Sequence, residues 1–304
     1  MLKKLYILFS LLFFLNVTGQ NNRDKFIMDS IEPYISDINL QKDRYFSIKK
    51  AIQKLESEFG YEPEFKYRLI NQSFIFNDID FFKKELTILT ETYGFDMTYM
   101  SENESYFESI SNGNLKEWFK QMFLEKHFIW LKNNFEKQID LRKLNEIRLK
   151  DQLVNNYAAK IVQNCNLDSI QKSQELKQLN KFFLSNVTEL YTISLKWSVY
   201  PTAKSFALIQ NNFGVAEFHN NQSIENFDKF WSMFFPFYKK AYLDNQITYM
   251  NFRNHDNFSY LHYGIQEFGL ISINDVPTEY RKNNNEIPVK DLEFMKKIKK
   301  EFKW

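Results

Sequence analysis

The chain has 304 residues, of which 40 are basic and 38 acidic, so its formal net charge at pH 7 is only +2. So small a net charge excludes a global positive field, on which proteins that bind nucleic acid through general phosphate attraction depend. Aromatic residues make up 18% of the chain, and a single cysteine cannot form an internal disulfide. The fold must therefore be stabilised by burial of apolar side chains.

Glycine and proline are scarce, with 7 and 6 residues respectively. Tight hairpins and the loops of parallel sheets use glycine freely, because its backbone adopts positive φ at little cost. The scarcity of glycine and proline predicts an all-α fold. We expect an irregular multi-helix bundle of long helices, which could divide into two helical subdomains. At most a minor pair of strands is expected.

The N-terminal segment, residues 1–19, has the layout of a secretory signal peptide. Two lysines precede an apolar stretch from Leu5 to Leu15, and small or modest side chains come directly before a cleavage position at Gln20. The apolar stretch is shorter than the roughly 20 residues needed to cross a bilayer. We therefore expect cleavage, no transmembrane segment in the mature chain, and export to the periplasm or the cell exterior.

Residues 20–138 are predicted to form an N-terminal helical region. Apolar side chains at helical spacing indicate one helix from Asp43 to Phe59, a second that ends at Gly94, and a third that begins at Leu115. The third helix has the strongest apolar stripe of the chain. His127 lies within it and is expected to be a packed or half-exposed side chain rather than a ligand.

Residues 139–275 are predicted to form a C-terminal helical domain, whose first helix carries a carboxylate where an apolar residue is expected. Its stripe runs through Ile147 and Val154, and Asp151 lies between them at helical spacing. A carboxylate on a core-facing stripe is costly unless it is paired or hydrogen-bonded. Either the stripe rotates and Asp151 is partly hydrated, or Asp151 is a buried polar pivot or an ionisable site residue.

The rest of this domain is predicted as helices joined by polar turns. A long helix runs from Asp168 to about Trp197, Pro201 opens the next helix, and Pro236 breaks a later one. His219 is expected just before an Asn-rich turn. Residues 276–304 are predicted as a polar linker and a C-terminal amphipathic helix, which we expect to dock on the domain rather than to lie on a membrane.

The run NHDNFSYLHYG, residues 254–264, holds two of the four histidines of the chain. Gly264 permits positive φ, and Asp256 is a natural capping or turn residue. The run is therefore interpreted as a tyrosine-rich turn after the last long helix of the domain. One of its two histidines, but not both, is expected to face the groove that also holds His219.

Five short runs, KDQLVNNY, VYPTAKSF, EFHNNQ, FFPFYKKAYLDNQI and HYGIQEFG, lie in this order between residues 140 and 270. Together they resemble a bacterial, Bacteroidetes-type family of exported helical domains of unknown function. The family pattern is an Asp-Gln pair, a later proline, an isolated histidine and a closing Tyr-Gly, which correspond here to Asp151-Gln152, Pro201, His219 and Tyr263-Gly264. Leu261 and His262 stand where the family has its closing glutamine. The resemblance implies an all-helical domain in an exported protein and implies no reaction.

Two functions remain open at this point. The first is a binding or structural module of the periplasm or exterior, with an unknown ligand or protein partner. The second is a hydrolase-type enzyme in which His219 acts with Asp151 and with His255 or His262. The candidate catalytic residues are Asp151, Gln152, His219, His262 and Tyr263.

Known catalytic and cofactor motifs are missing from the sequence, so any cofactor is left unknown. Three histidines could hold zinc with an open coordination position, but the spacing of His219, His255 and His262 matches no metal template, and no metal site is predicted. Cys165 has no base beside it in sequence, and we expect an idle thiol rather than a nucleophile.

Overall fold

The computed structural model describes residues 21–37, 40–209, 213–282 and 286–304. The structure is 73% helical and contains no strand in the part of the chain that it describes. This confirms the predicted all-α, multi-helix fold. Gln266 and Val289 form an isolated parallel β-bridge. The predicted signal peptide, residues 1–19, lies outside the described residues and stays a prediction.

The chain divides into two compact units, and one of the boundaries between them falls inside a helix. Of the described residues, 22–37, 40–145 and 199–209 form what we call the N-terminal unit, and 146–198, 213–282 and 286–304 form the C-terminal unit. The boundary predicted from the sequence, after residue 138, lies at the beginning of that helix.

The segment 199–209 belongs to the N-terminal unit, although the predicted C-terminal domain included it. Its backbone is fixed there because the Leu208 N–H donates to the Tyr93 carbonyl at 2.8 Å. Ala203 and Leu208 are also buried in the same apolar cluster as Phe82 and Leu86.

The helices of the N-terminal unit include the three that apolar stripes predict, from Asp43 to Phe59, up to Gly94 and from Leu115. They are α1 (Asn22–Ser30), α2 (Glu32–Ile35), α3 (Lys42–Phe59), α4 (Pro63–Ile75), α5 (Ile79–Tyr93), α6 (Phe107–Ser111) and α7 (Lys116–Asn133). Gly94 ends α5 in the left-handed conformation, with φ of 75°, as predicted. Helix α8 (Gln138–Gln163) contains the boundary between the units.

The C-terminal unit contains the second part of α8 and five further helices. They are α9 (Ser169–Trp197), α10 (Gly214–Asn221), α11 (Ile224–Leu243), α12 (Met250–Tyr263) and α13 (Leu292–Phe302). Helix α9 packs against α10 and α11, which also pack against each other, and α11 contacts α12. No helix within the described ranges combines the length and the apolar character needed to cross a membrane.

Both predictions that concerned prolines are wrong. Pro236 lies inside α11, which continues to Leu243, because the buried rings of Phe234 and Tyr238 hold both sides of the proline in the core. Pro201 opens a turn rather than a helix. The Ser205 hydroxyl donates to the Tyr200 carbonyl at 2.7 Å there, and such a local bond competes with helix formation.

The predicted docking of the C-terminal helix is confirmed. Ile298 and Phe302 on α13 are each 2% exposed, and the ring of Phe302 lies 4.7 Å from that of Tyr242 on α11. Asp291 begins the helix by accepting hydrogen bonds from the next turn, including one from Phe294 N at 3.0 Å. The amphipathic face is therefore used inside the C-terminal unit.

Candidate functional site

A carboxylate and an imidazole meet in the interior of the C-terminal unit. Asp151 on α8 is fully buried and His219 on α10 is 8% exposed. His219 Nδ1 lies 2.7 Å from Asp151 Oδ2. An ionised carboxylate only accepts hydrogen bonds, so Nδ1 carries the proton and donates it, and Nε2 remains for a second interaction. The predicted burial of Asp151 is confirmed, and a partly hydrated Asp151 is excluded.

Two phenyl rings enclose the imidazole of His219. The ring of Phe183 on α9 lies 5.6 Å from it, and the ring of Phe218, its neighbour on α10, lies 5.8 Å away in an edge-to-face arrangement. Helix α10 continues through Asn220 and Asn221, so the turn predicted directly after His219 begins only at Gln222. Apolar walls strengthen the hydrogen bond to Asp151, because the local dielectric is low.

The second oxygen of Asp151 is less well satisfied. Asp151 Oδ1 is buried and accepts no hydrogen bond from the residues that the structure describes. Gln152 Nε2 approaches Oδ2 only at 3.4 Å, a long and weak contact. A buried acceptor that is left unpaired costs about 1–3 kcal/mol. The hydrogen bond to His219 therefore compensates the free-energy cost of burying the Asp151 carboxylate and adds little further stability.

His262 and Tyr263 lie at the C-terminal end of α12. His262 is half-buried, and its Nε2 donates to the Asn221 carbonyl, at the end of α10, over 2.8 Å. Of the two histidines of α12, His262 is therefore the one that reaches the helix carrying His219. The exposed Tyr263 hydroxyl donates to Asp228 Oδ2 at 2.7 Å, and this bond raises the pKa of Tyr263 to about 12.

His255 has a separate environment on the inner side of α12. Its ring stacks on Trp231 with centroids 3.7 Å apart and on Phe227 at 4.8 Å. His255 Nε2 donates to Glu267 Oε2 at 2.9 Å. Burial lowers the pKa of His255 although the Glu267 carboxylate acts in the opposite direction, so the ring is a packed, neutral side chain at pH 7.

The interpretation of residues 254–263 as a turn is wrong, because they are part of the helix α12, which Gly264 ends with φ of 75°. Asp256 is fully buried within this helix. Its carboxylate accepts the backbone N–H groups of Glu267, Phe268 and Leu270 at 2.7, 3.0 and 2.9 Å. It thus ties the following segment to α12.

Asp256 was recognised in the sequence only as a turn former. Burial raises its pKa to about 6, although the three backbone donors act in the opposite direction. Helical spacing could have predicted this burial, because Asp256 lies four residues after Phe252 and therefore on the same, buried face of α12. A polar residue at such a position must have buried partners.

In the Asp151–His219 contact, the carboxylate holds the imidazole by Nδ1 and leaves Nε2 for a further interaction. An Asp–His pair of this geometry activates a nucleophile or a water at Nε2. His219, His255 and His262 each bond to a different acceptor. In the described part of the chain, no group of three His, Cys, Asp or Glu side chains is placed to hold a metal ion. Cys165 is exposed.

A second kind of candidate site is on the surface, where two helices expose large apolar side chains. On α7, Leu124 and Phe128 are 62% and 67% exposed, although the opposite face of this helix is buried. On α8, Leu149, Leu153 and Tyr157 are 62%, 71% and 55% exposed. Neither face was predicted from the sequence, because each helix was assigned a single apolar stripe.

Comparison with known proteins identifies no relative: no protein-family model, curated protein or solved structure matches the chain. The resemblance to an exported helical domain family therefore stays a prediction.

Proposed function

We propose that the protein is an exported binding or structural module of the periplasm or cell exterior, and that it acts through its surface. The observation that carries this proposal is the second apolar face of α7. Leu124 and Phe128 lie one turn apart on that face, and Phe135 just beyond the helix is 79% exposed. Contiguous exposed apolar side chains on a soluble protein mark interaction surfaces.

The buried polar groups support the same proposal, because their hydrogen bonds hold elements of the C-terminal unit together. His219 joins α10 to Asp151 on α8, and His262 joins α12 to the end of α10. Asp256 fixes the segment after α12. A structural role accounts for each of these contacts without a substrate.

A hydrolase is the second candidate, and the 2.7 Å contact between Asp151 and His219 is the observation that favours it. In that case, His219 would be the general base and Asp151 would orient it. The comparison of Asp151→Asn with the unaltered chain on ester and peptide substrates tests this. Hydrolysis that falls at least about 100-fold in the variant would support an enzyme; an unchanged background rate would exclude it.

Site-specific photo-crosslinking tests the binding function. A photoreactive amino acid is placed at Phe128 in cells that make the full-length chain, and at Glu58, an exposed position on α3, as the matched control. We expect an adduct of one defined mass in the exported fraction at Phe128 and none at Glu58. Equal labelling at both positions, or none at Phe128, would contradict the proposal.

Mass spectrometry of the same exported fraction tests the location. A mature N-terminus at Gln20 is expected from the signal-peptide layout. A chain that keeps Met1 and stays in the cytoplasm would contradict export.

A further inference from the structure

A pocket of about 340 Å³ lies in the N-terminal unit, where α1 packs against α3. One face of each helix lines it, because the lining residues of each follow at helical spacing, and one residue of α2 completes it. The lining residues are Phe26, Asp29, Ser30, Tyr34, Arg44, Ser47, Ile48 and Ala51. The volume is at the lower end of the range of small-molecule sites, about 300–1,000 Å³.

The inner wall of the pocket is apolar and belongs to the core of the unit. Ile48 is 1% exposed, and Phe26, Tyr34 and Ala51 are partly buried against the same apolar cluster. An apolar group that enters the pocket therefore leaves water, which favours binding. Because helices carry these side chains, their relative positions are well fixed.

Two opposite charges line the pocket without pairing with each other. The Arg44 guanidinium lies over the Tyr34 ring, 4.0 Å from its centroid. This contact orients the guanidinium and leaves its N–H groups as donors. Among the residues that the structure describes, neither Asp29 nor Arg44 has an ion-pair partner. The pocket thus offers a carboxylate to a cation and, separately, a guanidinium to an anion.

We propose that this pocket binds a small zwitterion with an apolar body, namely a free α-amino acid with an apolar or aromatic side chain. The ammonium group of the ligand binds the Asp29 carboxylate. Its carboxylate accepts two hydrogen bonds from Arg44, the geometry that a guanidinium favours. Its side chain packs against Ile48 and Ala51. Neither the proposed surface of α7 nor the buried histidines take part.

The charges of the lining select against simpler ions. One carboxylate and one guanidinium give no net charge, so Asp29 repels a lone anion such as phosphate, and Arg44 repels a lone cation. A zwitterion satisfies both groups at once. Lys54, whose Nζ lies 5.2 Å from the centroid of the Phe26 ring, is not among the residues that line the pocket.

The affinity is expected to be low, because the ligand has few atoms and both charged residues of the site are exposed. A dissociation constant on the order of 0.1–1 mM is expected for phenylalanine. Titration of the mature chain with phenylalanine, followed in amide NMR spectra, measures it. The amides of Ser30 and Ser47 should shift, and amides of the C-terminal unit should not.

Two variants test the charged contacts. Asp29→Asn and Arg44→Gln should each weaken the binding of phenylalanine about fivefold or more. The matched controls are Glu58→Gln and Lys42→Gln, at exposed positions of α3 outside the lining, and they should bind like the unaltered chain. Circular dichroism checks that all four variants fold.

Ligand analogues assign each charge of the ligand to one residue. N-acetylphenylalanine lacks the ammonium group, so Asp29→Asn should bind it at least as well as the unaltered chain does. Phenylalanine amide lacks the carboxylate, and Arg44→Gln should likewise not weaken its binding. A residue that only maintained the shape of the pocket would affect phenylalanine and both analogues equally.

Three results would overturn the proposal. They are no shift of the amides around the pocket, equal binding of phenylalanine by the unaltered chain and both variants, and binding of phosphoethanolamine, a lipid-headgroup zwitterion, in place of phenylalanine. The crosslink at Phe128 is measured without added amino acid. Failure of this pocket is therefore distinguishable from failure of the proposed function.

Discussion

His219 Nδ1 donates to Asp151 Oδ2 over 2.7 Å, although 68 residues separate the two in sequence. Both side chains are inside the C-terminal unit, and the contact joins its first helix segment, in α8, to α10. The cost of burying the carboxylate is compensated by a single strong bond. Removal of one partner is therefore expected to destabilise the protein more than replacement of both partners by apolar residues.

Asp151→Ala should destabilise the protein by about 2–4 kcal/mol, because it leaves a buried imidazole N–H unpaired and creates a cavity. The double variant Asp151→Leu with His219→Phe should cost clearly less, since the phenyl ring fits among Phe183 and Phe218 and no polar group is left unpaired. Urea unfolding of the single and double variants measures this as a cycle. Additive costs would contradict the pairing.

Stability should fall on acidification because of His255. Burial lowers the pKa of His255 below its ordinary value of 6.5, so the unfolded chain binds a proton at a higher pH than the folded protein does. The free energy of unfolding contributed by this group is complete above about pH 6.5 and is lost as the pH falls through the folded pKa. The melting temperature of His255→Phe, relative to that of the unaltered chain, should therefore rise as the pH falls from 7.5 to 5.

The comparison of these two chains isolates His255, because Asp256 has the opposite effect in a lower window. Its raised pKa, about 6, means that its contribution decreases as the pH rises from about 4 to 6. That contribution is common to both chains and cancels in the difference. Parallel pH profiles for His255→Phe and the unaltered chain would refute the assignment.

Asp256→Ala should release the segment that follows α12. The amides of Glu267, Phe268 and Leu270 lose their acceptor, so their hydrogen exchange should accelerate by at least about tenfold relative to the unaltered chain. The Gly264 amide, which donates to the Tyr260 carbonyl at 2.8 Å, is the internal control and should change far less. Uniform acceleration would indicate global destabilisation instead.

Gly94 should tolerate alanine poorly, and Gly264 is its matched control. Both are in the left-handed conformation with φ of 75°, but a Cβ on Gly94 would collide with the Trp130 indole whereas a Cβ on Gly264 meets only the flexible side chain of Lys282, at 3.0 Å. Gly264→Ala should cost about 1–2 kcal/mol for the backbone conformation, and Gly94→Ala at least about 1 kcal/mol more. Equal losses in urea unfolding would show that the indole moves freely aside.

The sequence predicted those parts of the fold in which apolar periodicity dominates. The helix that ends at Gly94 and the docking of α13 follow from such stripes, and the buried position of Asp151 follows from the interruption of one. Helix α12 was missed because its buried face carries Arg253, His255 and Asp256, whose partners are remote in sequence.

The exposed faces of α7 and α8 could not be assigned from the sequence either. Both helices have apolar residues on more than one side, and only the tertiary structure shows which side is covered. Phe128, for example, is equally compatible with burial by its periodicity, yet it is 67% exposed.

The central claim is that the protein acts through its surface and that the buried Asp–His pair is structural. Its most direct test is the yield of the Phe128 crosslink in the chain that carries Asp151→Leu and His219→Phe. We predict an adduct of unchanged mass and yield, because the exposed face of α7 does not depend on the chemistry of that pair. Loss of the adduct from a variant that circular dichroism shows to be folded would contradict the account.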